Sequence, residues 1–243
     1  MKFSICIPTL NEEKYISGIL SCLTKQTHKD FEVIVADGKS EDKTKEAVLT
    51  FADKLDIRFL EAPERRTSCQ RNYAAKHAGC DYIIFFDADV MIDSDFLEKI
   101  SDYLENHPVD ILTCWNEPLS DRLDDELIYL FVNIFELELI KKINPGAVGV
   151  FICVKKTAFE KIGGFREQLH YAEDYDLAKR FFKSGFKYAL LKKPKVKVSV
   201  RRFDKEGRFK RVMKEFKAIT SYLVNGGDYE KLQKNIKYKY GKF

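Results

Sequence analysis

The first 90 residues alternate short apolar runs with segments of helical periodicity, and no other feature of the chain constrains its fold as strongly. The apolar runs have the length of buried strands and lie at 3–8, 31–36, 57–60 and 82–86. Between the first two runs, apolar residues from Ile16 to Leu23 recur at the spacing of one helix face. Strands that alternate with helices build parallel sheets covered on both sides. The sequence therefore predicts an α/β fold with a mostly parallel twisted sheet flanked by helices.

The rest of the chain is less regular, although its length of 243 residues suits one globular unit. A long apolar stretch from Asp125 to Lys142 predicts a helix that is either buried in the core or inserted in a membrane surface. Residues 201–243 carry 13 Lys and Arg against five Asp and Glu, which indicates an anionic partner or a solvated basic helix. We therefore predict a main domain at 1–202 and a basic helical extension at 203–243.

Cysteine spacing and the lengths of the apolar runs exclude several classes of protein. The six cysteines lie far apart without a C-x-x-C pair, so neither a zinc site nor a disulfide framework is indicated. The amino-terminal apolar run is broken by Pro8 and followed at once by charge, unlike a signal peptide. No uninterrupted apolar stretch reaches the length of about 18 residues that a membrane-spanning helix needs. We expect a protein that is cytoplasmic or peripheral to the cytoplasmic face of a membrane.

Acidic residues follow two of the predicted strands at the point where each strand ends. Asp37 closes the second strand, and Asp87 and Asp89 close the fourth. Ligands of an open parallel sheet collect outside the carboxyl ends of its strands, so these carboxylates predict a ligand-binding edge. Carboxylates repel a phosphorylated ligand unless a cation lies between them. Mg²⁺ or Mn²⁺ can do so because each binds oxygen atoms of both the carboxylates and the phosphates. The alternative is that these loop acids only cap the helices that follow.

Four segments carry recognisable motifs in a fixed order. They are ICIPTLNE at 5–12, VIVADGKS at 33–40, IFFDAD at 84–89 and GGFREQLHYAEDYDL at 163–177. Together they resemble the successive motifs of family 2 glycosyltransferases, which have the GT-A fold. The resemblance covers roughly residues 3–202 and implies metal-dependent transfer of a sugar from a UDP- or GDP-sugar. It leaves the acceptor open between a lipid phosphate, a glycan and a protein.

The resemblance also implies a donor site built from the loops after the strands. Its nucleotide-binding residues would be Pro8, Thr9 and Glu12 at the nucleoside, Asp37 at the base, Arg71 near the donor and Asp87 at the ribose. Asp89 matches the acid that binds the metal bridging the diphosphate, and the implied cofactor is Mn²⁺ or Mg²⁺. His170 is a candidate for a further metal ligand, with a structural histidine as the alternative.

Asp174, in the Glu173-Asp174 pair, matches the catalytic base of inverting members of the family. A carboxylate suits this role because an acceptor hydroxyl must lose its proton as it attacks the anomeric carbon. The pair also starts a predicted helix, so the alternative is that both acids complement the helix dipole. We interpret Asp174 as the base and predict inversion, since no second nucleophile is placed beside it.

Two other classes of function stay open at this point. A nucleotidyltransferase also combines an α/β sheet with carboxylates and Mg²⁺, but it usually needs a glycine-rich phosphate loop after the first strand, and this chain has none there. A non-catalytic module that binds sugar nucleotides or nucleic acid would use the basic tail. The aromatic residues of the tail recur at helical spacing suited to packing, so we expect no nucleic-acid partner. Arg201 and Arg202 begin this tail, and guanidinium groups suit phosphate oxygens.

Overall fold

The computed structural model describes residues 1–139, 149–210, 212, 213 and 229. Its strands are β1 (Phe3–Thr9), β2 (Phe31–Asp37), β3 (Ile57–Glu61), β4 (Tyr82–Phe86), β5 (Val90–Met91), β6 (Ile111–Leu119), β7 (Phe151–Lys155) and β8 (Tyr188–Ser199). Its helices are α1 (Ile16–Thr24), α2 (Thr44–Leu49), α3 (Thr67–His77), α4 (Phe96–Asn106), α5 (Leu123–Phe131), α6 (Lys156–Lys161), α7 (Glu173–Lys183) and α8 (Arg201–Glu206). A π-helical segment at Val132–Leu139 continues α5.

The strands form one sheet in the order β3-β2-β1-β4-β7-β6-β8-β5. Pairing is parallel between β1 and β2, β1 and β4, β2 and β3, and β6 and β8. Strand β7 runs antiparallel to both β4 and β6, and β5 runs antiparallel to β8. The predicted α/β sheet is therefore confirmed. Because β7 is reversed, its amino end lies at the same edge of the sheet as the carboxyl end of β4.

Helices cover the sheet on both faces because strand side chains alternate between two apolar clusters. Ile5 and Ile7 of β1 point into the larger cluster, which includes buried residues of α1 and α4. Cys6, between them, points into the second cluster, which includes buried residues of α3, α6 and α7. All six cysteines are buried free thiols.

The apolar stretch that begins at Asp125 is helical, and core burial holds for Leu137, which is fully buried, but not for the exposed apolar residues of the same stretch. Leu127 is 66% exposed, and Leu130 and Ile134 are also exposed, whereas the polar Asp125 and Asn133 are buried. The buried amide of Asn133 is satisfied by two hydrogen bonds with the backbone of Asn116 on β6. It accepts from the Asn116 N–H at 3.0 Å and donates to the Asn116 carbonyl at 2.7 Å. Asn133 therefore helps to fix the helix to the sheet, while several of its apolar side chains face outward. The end of the predicted helix, at 140–142, lies outside the described residues.

The carboxyl-terminal part of the chain is described through α8 and a few residues beyond it. The predicted boundary between the main domain and the extension, at 202/203, falls inside α8. Most of 203–243 lies outside the described residues, so the two-part division stays a prediction. Among the helices that the structure describes, none combines the length and apolarity of a membrane span.

Candidate active site

Thr9 and Asp37 lie side by side at the carboxyl ends of β1 and β2, where the strand register pairs them. The Thr9 hydroxyl donates to Asp37 Oδ1 at 2.9 Å, and the backbone N–H and hydroxyl of Ser40 donate to the same carboxylate at 2.7 and 2.6 Å. Pro8 precedes Thr9 in β1 and is buried with it. The structure therefore brings together three predicted nucleotide-binding residues. It adds Ser40, which belongs to the second motif but has no assigned role in the sequence.

Gly38 allows α3 to approach the loop after β2. The Gln70 side-chain amide donates to the Thr9 carbonyl at 2.8 Å, and a Cβ atom on residue 38 would lie 2.0 Å from that amide nitrogen. A side chain at this position would displace the Gln70 amide from the Thr9 carbonyl. Because Arg71 follows Gln70, the close approach also fixes where the Arg71 side chain enters the site.

Arg71 is the buried cation at the centre of the site, with a side chain only 2% exposed. One terminal nitrogen donates to Asp87 Oδ1 at 2.7 Å and to the Gly149 carbonyl at 2.9 Å, and the other donates to Glu173 Oε1 at 3.1 Å. The guanidinium carbon also lies 5.3 Å from the ring centroid of Phe165. Burial opposes the charge, but Asp87 and Glu173 raise the pKa of Arg71. Arg71 therefore ties the loop after β4 to the start of α7.

Asp174 lies beside this cation but differs from the other acids of α7 in its partners. Its Oδ2 accepts a hydrogen bond from the Gly149 N–H at 2.6 Å, and its Oδ1 accepts one from the Tyr175 N–H at 2.9 Å. Asp176, by contrast, forms an ion pair with Arg180 at 2.7 Å. Within the described residues Asp174 forms no ion pair of its own. Its charge is therefore held by backbone dipoles and not by a cation in direct contact.

The environment of Asp174 favours its protonated form. Burial raises the pKa of Asp174 to about 7, and the neighbouring Glu173 carboxylate acts in the same direction. Arg71 and the two backbone N–H donors act against this rise. An acid that only neutralised a cation or a helix end would have a lowered pKa. The observed environment instead gives a carboxyl group that can take up and release a proton near neutral pH.

Gly149 is the contact point between the cation and the candidate base, and it provides a test of their geometry. A Cβ atom on residue 149 would lie 2.8 Å from Arg71 Nη2 and 3.0 Å from Asp174 Oδ2. We expect Gly149→Ala to displace both groups and to lower kcat by roughly 100-fold, since a misplacement of about 1 Å costs that much. Steady-state kinetics of the purified variant measure this effect.

Gly18→Ala is the matched control for this substitution. Gly18 lies in α1, where an added Cβ atom would meet only Met91 Cγ at 4.0 Å. We expect unchanged kcat and a slightly higher melting temperature, because alanine favours a helix interior over glycine by about 1 kcal/mol. Full activity of Gly149→Ala would mean that Arg71 and Asp174 need not keep their present positions.

Asp89 and Glu12 share a second arginine, Arg201. The terminal nitrogens of Arg201 donate to the two carboxylate oxygens of Glu12 at 2.7 and 2.8 Å, and Arg201 Nε lies 2.9 Å from Asp89 Oδ2. The short β5–β8 pairing holds these groups together, since the Ser199 N–H donates to the Asp89 carbonyl at 3.2 Å. Burial raises the pKa of Asp89 to about 6, with Arg201 opposing this rise. The sequence places Arg201 in the basic tail but does not predict its contact with either acid.

Asp89 suits a hard divalent cation as a single carboxylate ligand. It is 11% exposed, and its contact with Arg201 lacks hydrogen-bond geometry, so its charge is only partly compensated. Donor phosphates and water would supply the other ligands, as is usual for Mg²⁺. His170 is exposed, and across the described ranges no three His, Cys, Asp or Glu side chains converge to hold a metal. The structure does not assemble His170 and Asp89 into a preformed ligand set, and both metal roles stay predictions.

Two curated proteins with similar sequences are named as glycosyltransferases. The poly(ribitol-phosphate) β-N-acetylglucosaminyltransferase TarS of Staphylococcus aureus is 35% identical over 116 residues, which cover 46% of this chain and 20% of TarS. The UDP-Glc:α-D-GlcNAc-diphosphoundecaprenol β-1,3-glucosyltransferase WfgD of Escherichia coli is 34% identical over 159 residues, which cover 65% of this chain and 54% of WfgD. This chain thus spans about a fifth of the first relative and about half of the second.

Solved structures with the same arrangement of strands and helices are glycosyltransferases as well. TarS residues 1–349 in complex with UDP superpose with a TM-score of 0.66 at 24% identity, covering 82% of this chain and 61% of that chain. The mannosyltransferase PcManGT of Pyrobaculum calidifontis, in complex with GDP-Man and Mn²⁺, gives a TM-score of 0.71 at 24% identity, covering 92% of this chain and 62% of that chain. These similarities establish the GT-A fold. The sequence model of glycosyl transferase family 2 matches residues 4–163, well over half of the chain, and the protein therefore belongs to glycosyl transferase family 2.

Proposed function

We propose that this protein transfers a sugar from a UDP- or GDP-sugar to an acceptor hydroxyl, with inversion at the anomeric carbon and with Asp174 as the general base. The observation that carries the proposal is the Asp174 carboxyl group, which has a raised pKa and lies next to Arg71 at the carboxyl edge of the sheet. Family membership favours this reaction over a nucleotidyltransferase. A loss of turnover with binding retained in a base variant would distinguish it from a binding module.

The role of Asp174 follows from its two states near neutral pH. The ionised carboxylate accepts the proton of the acceptor hydroxyl as the oxygen attacks, and the resulting acid is stabilised by burial. The Gly149 and Tyr175 N–H groups fix both carboxylate oxygens, so the base is oriented before substrate binds. Asp87 and Glu173 are both held by Arg71, which leaves Asp174 as the candidate base among these three acids and supports direct displacement with inversion of configuration.

The donor would bind along the loops after β1, β2 and β4. Thr9 and Asp37, which are hydrogen-bonded to each other, would contact the nucleoside, and Asp87, held by Arg71, would contact the ribose. Similarity to a UDP complex and to a GDP-Man complex supports both uracil and guanine as the nucleotide base of the donor. The contacts of this chain favour neither of them. Asp89 would hold Mn²⁺ or Mg²⁺, which stabilises the charge that develops on a diphosphate leaving group.

Nucleotide titration tests the donor site. We expect UDP or GDP to bind in calorimetry with an affinity that rises when Mn²⁺ is present. In Asp89→Ala we expect this Mn²⁺-dependent gain in affinity to be smaller by a factor of about ten or more. The reason is that even the loss of a residue that only supports a metal ligand costs about 10- to 100-fold in metal affinity. Asp102→Ala removes an exposed carboxylate from α4 and serves as the control. Absence of binding by either nucleotide, with and without Mn²⁺, would contradict the proposed donor.

The acceptor would carry phosphate and lie at a membrane surface. Both curated relatives are named for phosphate-bearing acceptors, one of them attached to undecaprenol. This chain also has an apolar surface, which we define by its exposed residues Leu123, Leu127, Leu130, Ile134 and Phe209. Arg208 joins the two parts of this surface, since its guanidinium donates twice to Asp125 of α5 at 2.7 Å. Exposed apolar side chains beside a basic segment favour an anionic lipid surface.

Vesicle binding tests the membrane contact. We expect the protein to co-sediment with vesicles that contain anionic lipid at low salt, and Leu127→Glu to weaken this binding about tenfold, since burying one leucine side chain contributes about 1.5–3 kcal/mol. Leu49→Glu is the matched control because Leu49 is a half-exposed leucine on α2, outside the apolar surface. Equal loss in both variants, or no sedimentation of the wild type, would contradict the proposal.

A further inference from the structure

Arg201 holds its two acidic partners in different ways. Both carboxylate oxygens of Glu12 accept hydrogen bonds from its terminal nitrogens. Its Nε atom, by contrast, lies close to Asp89 without hydrogen-bond geometry and is buried without an acceptor. Glu12 therefore anchors the guanidinium, whereas Asp89 is held by charge alone. Less is lost when the contact with Asp89 opens than when the contact with Glu12 does.

The surroundings of Arg201 give its guanidinium a stable position and space to turn. The guanidinium carbon lies 4.3 Å from the ring centroid of Tyr15, so the cation stacks on an aromatic face. A cavity of about 430 Å³ opens beside it, lined by Tyr15, Arg201, Arg202, Asp204, Lys205 and Glu206. Three of these six side chains are cationic and two are carboxylates, so the lining has a net positive charge, and guanidinium forks fit phosphate oxygens with two parallel hydrogen bonds. The cavity is thus a place where a phosphate group can attract Arg201 away from Asp89.

We infer that Arg201 is a counter-ion switch in the donor site. In the free protein it neutralises Asp89, and it releases Asp89 to a divalent cation when a nucleoside diphosphate attracts the guanidinium. The inference rests on the proposed donor chemistry. A guanidinium and a divalent cation on the same buried carboxylate would repel each other strongly at such short distances. Arg201 and a divalent cation therefore compete for Asp89, and binding of the diphosphate shifts this competition toward the divalent cation.

The switch predicts an unusual effect of removing Arg201. Without the competing guanidinium, Asp89 is available to a divalent cation before any nucleotide binds. We expect Arg201→Met to bind Mn²⁺ alone about fivefold to tenfold more tightly than the wild type, in the range of typical coupling between sites. The same variant is expected to bind the nucleoside diphosphate more weakly, because a phosphate partner is lost. Electron paramagnetic resonance of free Mn²⁺ measures the first effect, and calorimetry with UDP and GDP measures the second.

Arg202→Met is the control for simple loss of positive charge. Arg202 is the next residue and lines the same cavity, so the variant changes the net charge equally without removing the Asp89 contact. We expect its affinity for Mn²⁺ alone to change less than about twofold, as for a partly solvated charge at greater distance. Thermal unfolding confirms that each variant is folded. If Arg201→Met does not fold, Arg201→Gln, which keeps a hydrogen-bond donor for Glu12, is expected to show the same gain.

The outcomes separate the switch from the proposed function. Unchanged or weaker Mn²⁺ binding by folded Arg201→Met, or an equal gain in Arg202→Met, overturns the inference. A wild-type protein that binds neither UDP nor GDP contradicts the proposed donor site instead. The measurement with Mn²⁺ alone still decides in that case whether Arg201 restrains Asp89.

Discussion

Asp174→Asn is expected to lower kcat by roughly 10²- to 10⁴-fold while nucleotide binding is retained, since this is the usual contribution of a general base. The amide has nearly the same shape as the carboxylate but cannot accept the proton of the acceptor hydroxyl. Initial rates with a sugar nucleotide that the wild type turns over measure kcat, and calorimetry with the corresponding nucleotide measures binding. Turnover within about tenfold of the wild type would remove Asp174 from the role of base.

Asp176→Asn is the matched control because it makes the same change two residues further along α7. Asp176 is buried and pairs with Arg180, whose guanidinium also donates to the carbonyls of Ile162 and Gly164. We expect this variant to lower the melting temperature and to leave kcat nearly unchanged. Asp174→Asn should show the reverse order of effects. Two acids of the same helix with opposite profiles would separate a catalytic role from complementing the helix dipole.

The pH dependence gives an independent test of Asp174. Because its ionised form is the base and its pKa is raised to about 7, kcat should fall as pH drops below 7. In the unfolded chain an aspartate has a pKa of about 3.9, so between these values the folded protein binds more protons than the unfolded protein. This group therefore makes the protein less stable as pH rises from about 4 to about 7. Urea unfolding across this range should show the slope, and Asp174→Asn should remove it.

Arg71→Met is the substitution with the second largest expected effect. It leaves Asp87 and Glu173 without their shared cation, and breaking a buried ion pair in this way costs about 3–5 kcal/mol of unfolding free energy. Arg71 also holds down the pKa of Asp174, so the acid limb of the kcat profile should move to higher pH. Urea denaturation and a pH–rate profile measure these effects.

Arg66→Met is the comparison for Arg71→Met. Arg66 lies five residues earlier, directly before α3, and pairs with Glu64 on the surface. An exposed pair of this kind contributes about 0–1 kcal/mol, so we expect little change in stability and none in the pH profile. An equally small effect of Arg71→Met would show that the acidic cluster does not depend on its central cation.

Local patterns in the sequence were sufficient for the strands β1 to β4 and for the acids that follow them. Period, strand length and the residues that close each strand are properties of neighbouring positions, and parallel strands bring their carboxyl ends to one edge. Thr9, Asp37 and Asp87 were therefore predicted at one site before their contacts were known. The family resemblance added Asp174. Four motifs in a fixed order identify this residue as the candidate base, whereas a single motif would not.

Contacts between distant segments were decided only by the tertiary structure. Reversal of β7 carries Gly149 to the carboxyl edge of β4, where it contacts both Arg71 and Asp174. Nothing in the apolar run of β7 encodes its direction, because a buried strand has the same pattern either way. The same reason applies to Arg201, which reaches Glu12 across 189 residues through the pairing of β5 with β8. Sequence determines which residues end a strand, whereas the register and direction of the sheet determine which of those ends meet.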